Sequence, residues 1–235
     1  MARLIRLAAA LGVLAAFYAA VVRQRMLRWG ATDEEADGPF PCADLIPGGT
    51  RSGTMAITID APPDRVWPWL TQMGYGRAGW YSWDALDNFG HRSASEIHPE
   101  WVDIKVGDRL APQPGIWEVV ALEPERFLGL RTAVDLRGRP LAALKTLPRI
   151  STDSLWAFQL KPLPEGRTRL IVSGYWAFRP SWLQPLMSWL LLEPEHWIMQ
   201  TRQFANLKHR VEHDESSYRT DDAALVTPSA MAVAS

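Results

Sequence analysis

Thr54-Met-Ala-Ile-Thr-Ile-Asp-Ala-Pro-Pro-Asp-Arg-Val-Trp-Pro-Trp-Leu70 carries two hydrophobic periods in succession. Met55, Ile57 and Ile59 alternate with Thr54, Ala56 and Thr58, the period of a half-buried strand. Pro62 and Pro63 then suit a helix start. Val66, Trp67, Leu70 and Met73 mark its apolar face, with Pro68 tolerable only within the first turn or two. Gly74 and Gly76 stop that helix, and a second short one is predicted over Tyr81 to Phe89, capped by Ser82. Five strand-like runs follow, at Asp103–Leu110, Ile116–Leu122, Phe127–Val134, Ser154–Leu160 and Arg169–Phe178. Gly107-Asp108, Pro124-Glu125 and Glu165-Gly166 punctuate them. A long helix, from about Pro194 to His213, closes the pattern with Trp197, Phe204, Leu207 and Val211 on one stripe.

Strands uninterrupted by crossover helices exclude a doubly wound parallel sheet. The order predicts an α+β unit over 53–213, an antiparallel sheet covered by the final helix, with space for a ligand between them. Residues 29–52 read as a connecting arm in which Thr32 and Glu35 have capping-box spacing. Residues 214–235 are small, polar and aperiodic, and are expected to be a disordered tail.

The first 28 residues read as a membrane anchor with its flanks. Arg3 and Arg6 precede an apolar run from Leu7 to Val22, and Arg23, Arg25 and Arg28 close it. The run falls short of the ~20 residues that span a bilayer, but Arg6 can snorkel and extend it. A cleaved signal peptide is the competing reading. Tyr18 or Phe17 would occupy the position that needs a small residue, so an uncleaved single-pass anchor in the cell membrane is expected. The arginines are balanced, so orientation is not set.

The chain of 235 residues has a formal net charge of −1, which argues against nucleic acid as a partner. One cysteine, Cys42, allows neither an intrachain disulfide nor a thiolate metal cluster. Twelve tryptophans imply an aromatic-lined cavity or contact with a membrane interface.

The stretch Ile57 to Leu70 resembles the opening strand and first helix of the START-like superfamily. Met73-Gly-Tyr-Gly-Arg-Ala-Gly-Trp-Tyr-Ser-Trp-Asp-Ala-Leu-Asp-Asn-Phe-Gly90, Ile104-Lys-Val-Gly-Asp-Arg109 and Glu193-Pro-Glu-His-Trp-Ile-Met199 are similar to a bacterial, often actinobacterial, branch of it. The resemblance covers Gly53 to His213 and implies a helix-grip fold, a curved sheet wrapped around the C-terminal helix. The superfamily includes polyketide cyclases and dehydrases, lipid-transfer domains and birch-pollen-allergen proteins, so the resemblance specifies no reaction. Leu136 to Arg149 reads as an insertion relative to the branch.

The aromatic set Trp117, Phe127, Trp156, Trp176, Trp197 and Phe204 is the candidate ligand-cavity wall, with Arg131 or Tyr175 placed to orient a polar head group. Asp84, Asp87 and His91, with His98 and Glu100, have spacings that would suit acid/base or metal chemistry, but surface carboxylates are the expected outcome. His196 is weighed as a cavity-mouth group and read as a capping or solvated histidine. No metal, cofactor or catalytic residue is expected. Gly74 to Gly79 reads as a tight turn with Arg77 exposed. The uncharged stretch Trp182 to Leu192 suits a second membrane contact, through Trp182, Leu183, Leu186 and Trp189, or a lid on the domain. The basic insertion Arg137, Arg139, Lys145 and Arg149 would then meet lipid phosphates.

Three functions follow. The first is a membrane-anchored carrier or sensor for a hydrophobic small molecule such as a lipid, polyketide or isoprenoid. The second is a cyclase- or dehydratase-type enzyme using the same cavity, which would need a titratable pair inside it. The third is a non-catalytic interaction module with a filled core.

Overall fold

Turn residues and strand alternation set the element order. The computed structural model describes residues 1–110, 117–141 and 148–213. The chain begins with helix α1 (Ala2–Leu27), which contains a π-helical turn at Tyr18–Val22. A short helix, α2 (Asp33–Asp37), and a two-residue strand, β1 (Thr50–Arg51), follow. Next come β2 (Met55–Ile59), α3 (Pro63–Thr71) and two single-turn helices, α4 (Asp84–Asp87) and α5 (Pro99–Val102). Strands β3 (Glu118–Glu123), β4 (Phe127–Asp135), β5 (Ser151–Leu163) and β6 (Arg167–Arg179) lead to α6 (Gln184–Met187). A second π-helical stretch, Ser188–Leu192, runs into the long α7 (Glu193–Glu212).

The six strands form one antiparallel sheet in the order β1-β6-β5-β4-β3, with β2 also paired to β6. The α+β class with a long C-terminal helix is therefore as expected. Three local expectations change. Residues 103–110 are not a strand; only Arg109 bridges to Glu118. Gly107 at φ +96° and the Asp108 carboxylate, which accepts from the Lys105 amide at 2.9 Å, turn the chain there. The second helix shrinks to Asp84–Asp87 because Tyr81 is left-handed (φ +59°), and Ser82 donates to the Met199 carbonyl instead of capping. In α3 the fully buried tryptophan is Trp69, not Trp67, since Val66, Trp69, Leu70 and Met73 follow the helical period.

Register assigns every strand residue to a face. Leu128, Phe158, Val172 and Met55 lie opposite one another across β4, β5, β6 and β2. All four are buried with Trp69, Tyr81, Phe204, Leu207 and Val211 in the main core beneath α7. The other face is also apolar. Ala56, Leu155, Ala157, Ile171 and Tyr175 are covered by Phe40 and Ile46 of the arm.

The arm is thus a structural layer. Thr54 and Ala56 donate backbone hydrogen bonds to Leu27 and Trp29. Gly30, at φ +69°, passes so close to Ala56 that a Cβ would sit 2.2 Å from its carbonyl oxygen, so the approach requires glycine. Trp29 stacks on Phe204 with ring centroids 5.9 Å apart. The predicted capping box of α2 forms, and its Glu35 also takes two hydrogen bonds from Arg169.

Helix α1 is long and apolar enough to cross a membrane, and its apolar window is unburied. Its C-terminal end is held to α7. Arg23 makes two hydrogen bonds to the buried Glu193, at 2.6 and 2.8 Å, and its guanidinium lies over the Trp189 ring. Tyr18 donates to the Trp189 carbonyl at 3.2 Å.

Candidate functional site

Beyond the apolar core the sheet face changes character one row at a time. Leu130, Trp156 and Gly174 form the next row, and Thr132, Ser154 and Trp176 the one after it. Gly174 contributes no side chain and Thr132 and Ser154 contribute short ones. The sheet and α7 therefore separate into a pocket of about 300 Å³. Trp80, Trp117, Trp156 and Trp176 line it, with Asp87, Glu195 and His196 among the polar groups. Trp156 is the hub of the aromatic wall, 5.7 Å from Trp80, 5.5 Å from Trp117 and 4.7 Å from Phe158 by ring centroids.

A hydrogen-bond relay holds this wall. Trp156 Nε1 donates to Gln200 Oε1 at 3.1 Å, Gln200 Nε2 to Gln203 Oε1 at 2.8 Å, and Gln203 Nε2 to the Trp80 carbonyl at 2.8 Å. Both glutamines are about 2% exposed, so their amides must be satisfied internally, and the relay ties α7, β5 and the Trp80 loop together.

Three other buried polar atoms on the pocket wall have no partner: Asp87 Oδ1, Thr132 Oγ1 and His196 Nε2. Burial pushes the Asp87 carboxyl up to about 6, aided by the charge of Asp84 and opposed by a backbone amide and the Ser82 hydroxyl. Glu195 is also raised, first by burial and then by Asp87. Burial lowers His196 to about 4, so its imidazole is neutral at pH 7 while its ring stands edge-on to Trp176. The pocket thus combines an apolar aromatic surface with two carboxyl groups and a neutral imidazole. Neutral His196 can accept or donate a hydrogen bond, and a carboxyl near pH 6 can exchange a proton at physiological pH.

The predicted wall residues divide. Trp117, Trp156 and Trp176 line the pocket. Phe204 is in the closed core and Trp197 packs against that core, partly buried. Phe127, Arg131 and Tyr175 lie on the opposite face of the sheet, which corrects their placement in the cavity. Phe127 packs on Phe40, Tyr175 donates to the Phe40 carbonyl at 2.7 Å, and Arg131 makes a two-pronged pair with Asp153 at 2.9 and 2.7 Å. Strand parity decides this: the inward neighbours are Leu128, Thr132 and Trp176.

Asp84, Asp87 and His91 do not share a site. Asp84 accepts from the Ser93 amide and hydroxyl, His91 is exposed, and only Asp87 reaches the pocket. His98 Nδ1 lies 3.6 Å from Glu100. Among the described residues no group of three acidic, histidine or cysteine side chains is arranged to hold a metal ion. The Gly74–Gly79 turn forms, but Arg77 is tucked in, donating to the Thr71 and Trp101 carbonyls. The sequence reading passed over Thr132, Glu195, Gln200 and Gln203. Glu195, Gln200 and Gln203 occupy a helix otherwise read only for its apolar stripe, and their uncharged or acidic character at pocket-facing positions was the available signal. Of the basic insertion, Arg139 pairs with Asp135 at 2.6 Å, and Lys145 lies outside the described residues, as does the tail after His213.

The fold and pocket define a sheet-and-helix α+β protein with a cleft suited to a small ligand. No family model matches the chain, and no curated protein sequence does. Among solved structures it is similar to a protein of Mesorhizobium loti, at 21% identity over 69% of this chain and 98% of that one, with a TM-score of 0.38. It is similar to CalU16 of Micromonospora echinospora, at 15% identity over 71% and 88% of the two chains, TM-score 0.32. It is also similar to DynU16, a protein of the dynemicin biosynthetic locus, at 19% identity over 68% and 46%, TM-score 0.39. The functional reading rests on the chain's own pocket.

Proposed function

We propose that this protein is a membrane-anchored binding domain, a carrier or sensor, for a hydrophobic small molecule that also bears hydrogen-bonding groups. The observation that carries the reading is the meeting of three unpartnered buried polar atoms, on Asp87, Thr132 and His196, in one tryptophan-lined pocket. Leaving such a group unsatisfied costs about 1–3 kcal/mol, a cost that a ligand's polar atoms would relieve. The indoles supply affinity by removing apolar ligand area from water, at roughly 25 cal/mol per Å². A pocket of this size gives no support to a filled-core interaction module.

Full-length protein in lipid nanodiscs tests this, by native mass spectrometry against a panel of lipids, polyketides and isoprenoids. Retention of a ligand is expected, and its loss in Ser154→Trp, which projects an indole into the pocket from its middle row. Wild-type protein that is empty and ignores the panel sinks the proposal.

A second reading, an enzyme of the cyclase or dehydratase kind, is favoured by the Asp87–Glu195 carboxyl pair at the pocket. It requires conversion of a bound ligand, lost in Asp87→Asn while the ligand is still bound.

The membrane reading draws on a run of exposed apolar side chains. Trp182, Leu186, Trp189, Leu190 and Leu191 are all exposed, with Trp182 at 74%, and Trp189 adjoins the base of α1 through Tyr18 and Arg23. Leu183 is half-buried. Apolar surface of this kind beside a helix fit to span a bilayer suits the interface. A second cleft, of about 600 Å³, opens beside Arg23 and Trp189 and shares Ser52 and Trp176 with the ligand pocket. Trp176 then separates a bilayer-side entrance from the pocket. In nanodiscs containing brominated lipid, replacing Trp182 and Trp189 together by Phe is expected to remove a distinct share of the tryptophan quenching. Equal quenching in both proteins counts against the contact.

A further inference from the structure

Several enclosed acids elsewhere in the molecule have a cationic partner, Glu212 among them through Lys208. Glu35 pairs with Arg169, Asp135 with Arg139, Asp153 with Arg131 and Glu193 with Arg23. Asp87, half-buried, and Glu195, at the exposed edge of the pocket, have no such partner among the described residues. They stand together on the pocket wall, no ion pair involves either among the described residues, and no described lysine or arginine lines the pocket. Around them are four indoles, whose π faces attract cations, most strongly where water is excluded. Trp156 has its one polar atom engaged by Gln200, so toward a ligand it offers only ring surface. His196 Nε2 is buried without a partner, and with the ring proton on Nδ1 it offers a lone pair to an N–H donor.

We propose that the pocket is a binding site for an organic cation, an ammonium group carried on an apolar body, with Asp87 and Glu195 as counter-charges and the tryptophans as walls. The ammonium supplies the positive charge that these two acids lack and donates to their carboxylates, with His196 on the same wall. Carboxylate and phosphate ligands are disfavoured, since no described cation would neutralise them and two acids would repel them. The volume equals about ten water molecules' share of liquid, room for an arylalkyl amine or the head portion of a longer amphiphile. The inference rests on the pocket's being a ligand site, as proposed above.

The titratable groups around Asp87 are Asp84 on its own helix and, lining the same pocket, Glu195 and His196 from α7. His196 stays neutral down to about pH 4, Glu195 is held above its ordinary value by burial and by Asp87, and Asp87 takes up its proton near pH 6. The negative charge exists above about pH 6 and disappears as pH falls through that value, so cation affinity weakens on acidification.

Three probes of one shape distinguish the outcomes: 3-phenylpropylamine, 3-phenylpropanol and 3-phenylpropanoate. Each is titrated into full-length protein in phosphatidylcholine nanodiscs, with empty nanodiscs subtracted, and followed by tryptophan fluorescence and calorimetry. At pH 7.5 the amine is expected to bind at least tenfold more tightly than the alcohol, and the propanoate least. The amine's advantage should shrink severalfold at pH 5. Asp87→Asn should remove most of it, and Glu195→Gln, at the more exposed edge, should weaken it without disturbing the fold. Alcohol binding as tight as amine binding, or an undiminished preference in both variants, overturns the cation assignment and leaves the ligand pocket standing. Failure of all three probes to bind overturns the assignment together with the pocket reading on which it rests.

Discussion

Phe204→Ala is expected to lower the free energy of unfolding by about 3–5 kcal/mol, the range for emptying a buried phenylalanine site. Phe204 is 1% exposed on α7 and stacks on Trp29, a residue of the arm. The loss therefore combines the transfer of an aromatic ring with a void between the helix and the chain that leads from α1. Repacking has little room to relieve it, because Leu207 and Val211 on the same helix are fully buried. Urea titration of full-length protein in nanodiscs, read by far-ultraviolet circular dichroism, measures the change. A drop below about 1 kcal/mol accompanied by lost ligand binding would return Phe204 to the cavity wall and contradict its place in the closed core.

Glu35→Ala is expected to cost about 2–3 kcal/mol, between the roughly 0–1 of a surface ion pair and the roughly 3–5 of breaking a fully buried one. Glu35 takes hydrogen bonds from Arg169 at 2.9 and 2.7 Å and from the Thr32 amide at 2.9 Å. Both partners of the ion pair are largely enclosed, at 12% and 16% side-chain exposure. Without Glu35, Arg169 retains the Gly30 carbonyl and a longer contact to Thr58, and α2 loses half its capping box. The hydrogen bond from Arg169, with lesser help from the Thr32 amide, holds the Glu35 carboxyl below its ordinary value. Because the folded-state pKa is the lower one, this stabilisation is fully present above the unfolded value near 4.3 and is lost as pH falls through the folded value. The stability difference between wild type and Glu35→Gln should be constant from about pH 7 to 5 and narrow below about pH 4. A difference that grew on acidification would place the stabilisation on another group.

Much of the fold was legible because turns announce themselves. Pro124-Glu125 and Glu165-Gly166 fall between β3 and β4 and between β5 and β6, and Glu125 and Glu165 both adopt left-handed backbone there. The capping box was legible for the same local reason. Asp103–Leu110 misled, since its alternation was real but Gly107 and Asp108 bend the chain before a ladder can form. The site was only partly legible. Trp117, Trp156 and Trp176 are large enough to attract notice wherever they point. Arg131 and Tyr175 were set on the wrong side because the sheet is apolar on both faces, and alternation alone cannot name the inner one when an arm covers the outer.

From the sequence alone came the α+β order, the closing helix and an N-terminal helix of membrane-spanning composition, all products of local period and punctuation. Tertiary structure decided which face of the sheet meets α7, and so which side chains share the pocket. It also brought Asp87, at the end of a one-turn helix, beside Glu195 at the start of the last one. Nothing local couples those two carboxyls. Their proximity and the absence of a described cation beside them exist only once the sheet has placed both helices on the same face.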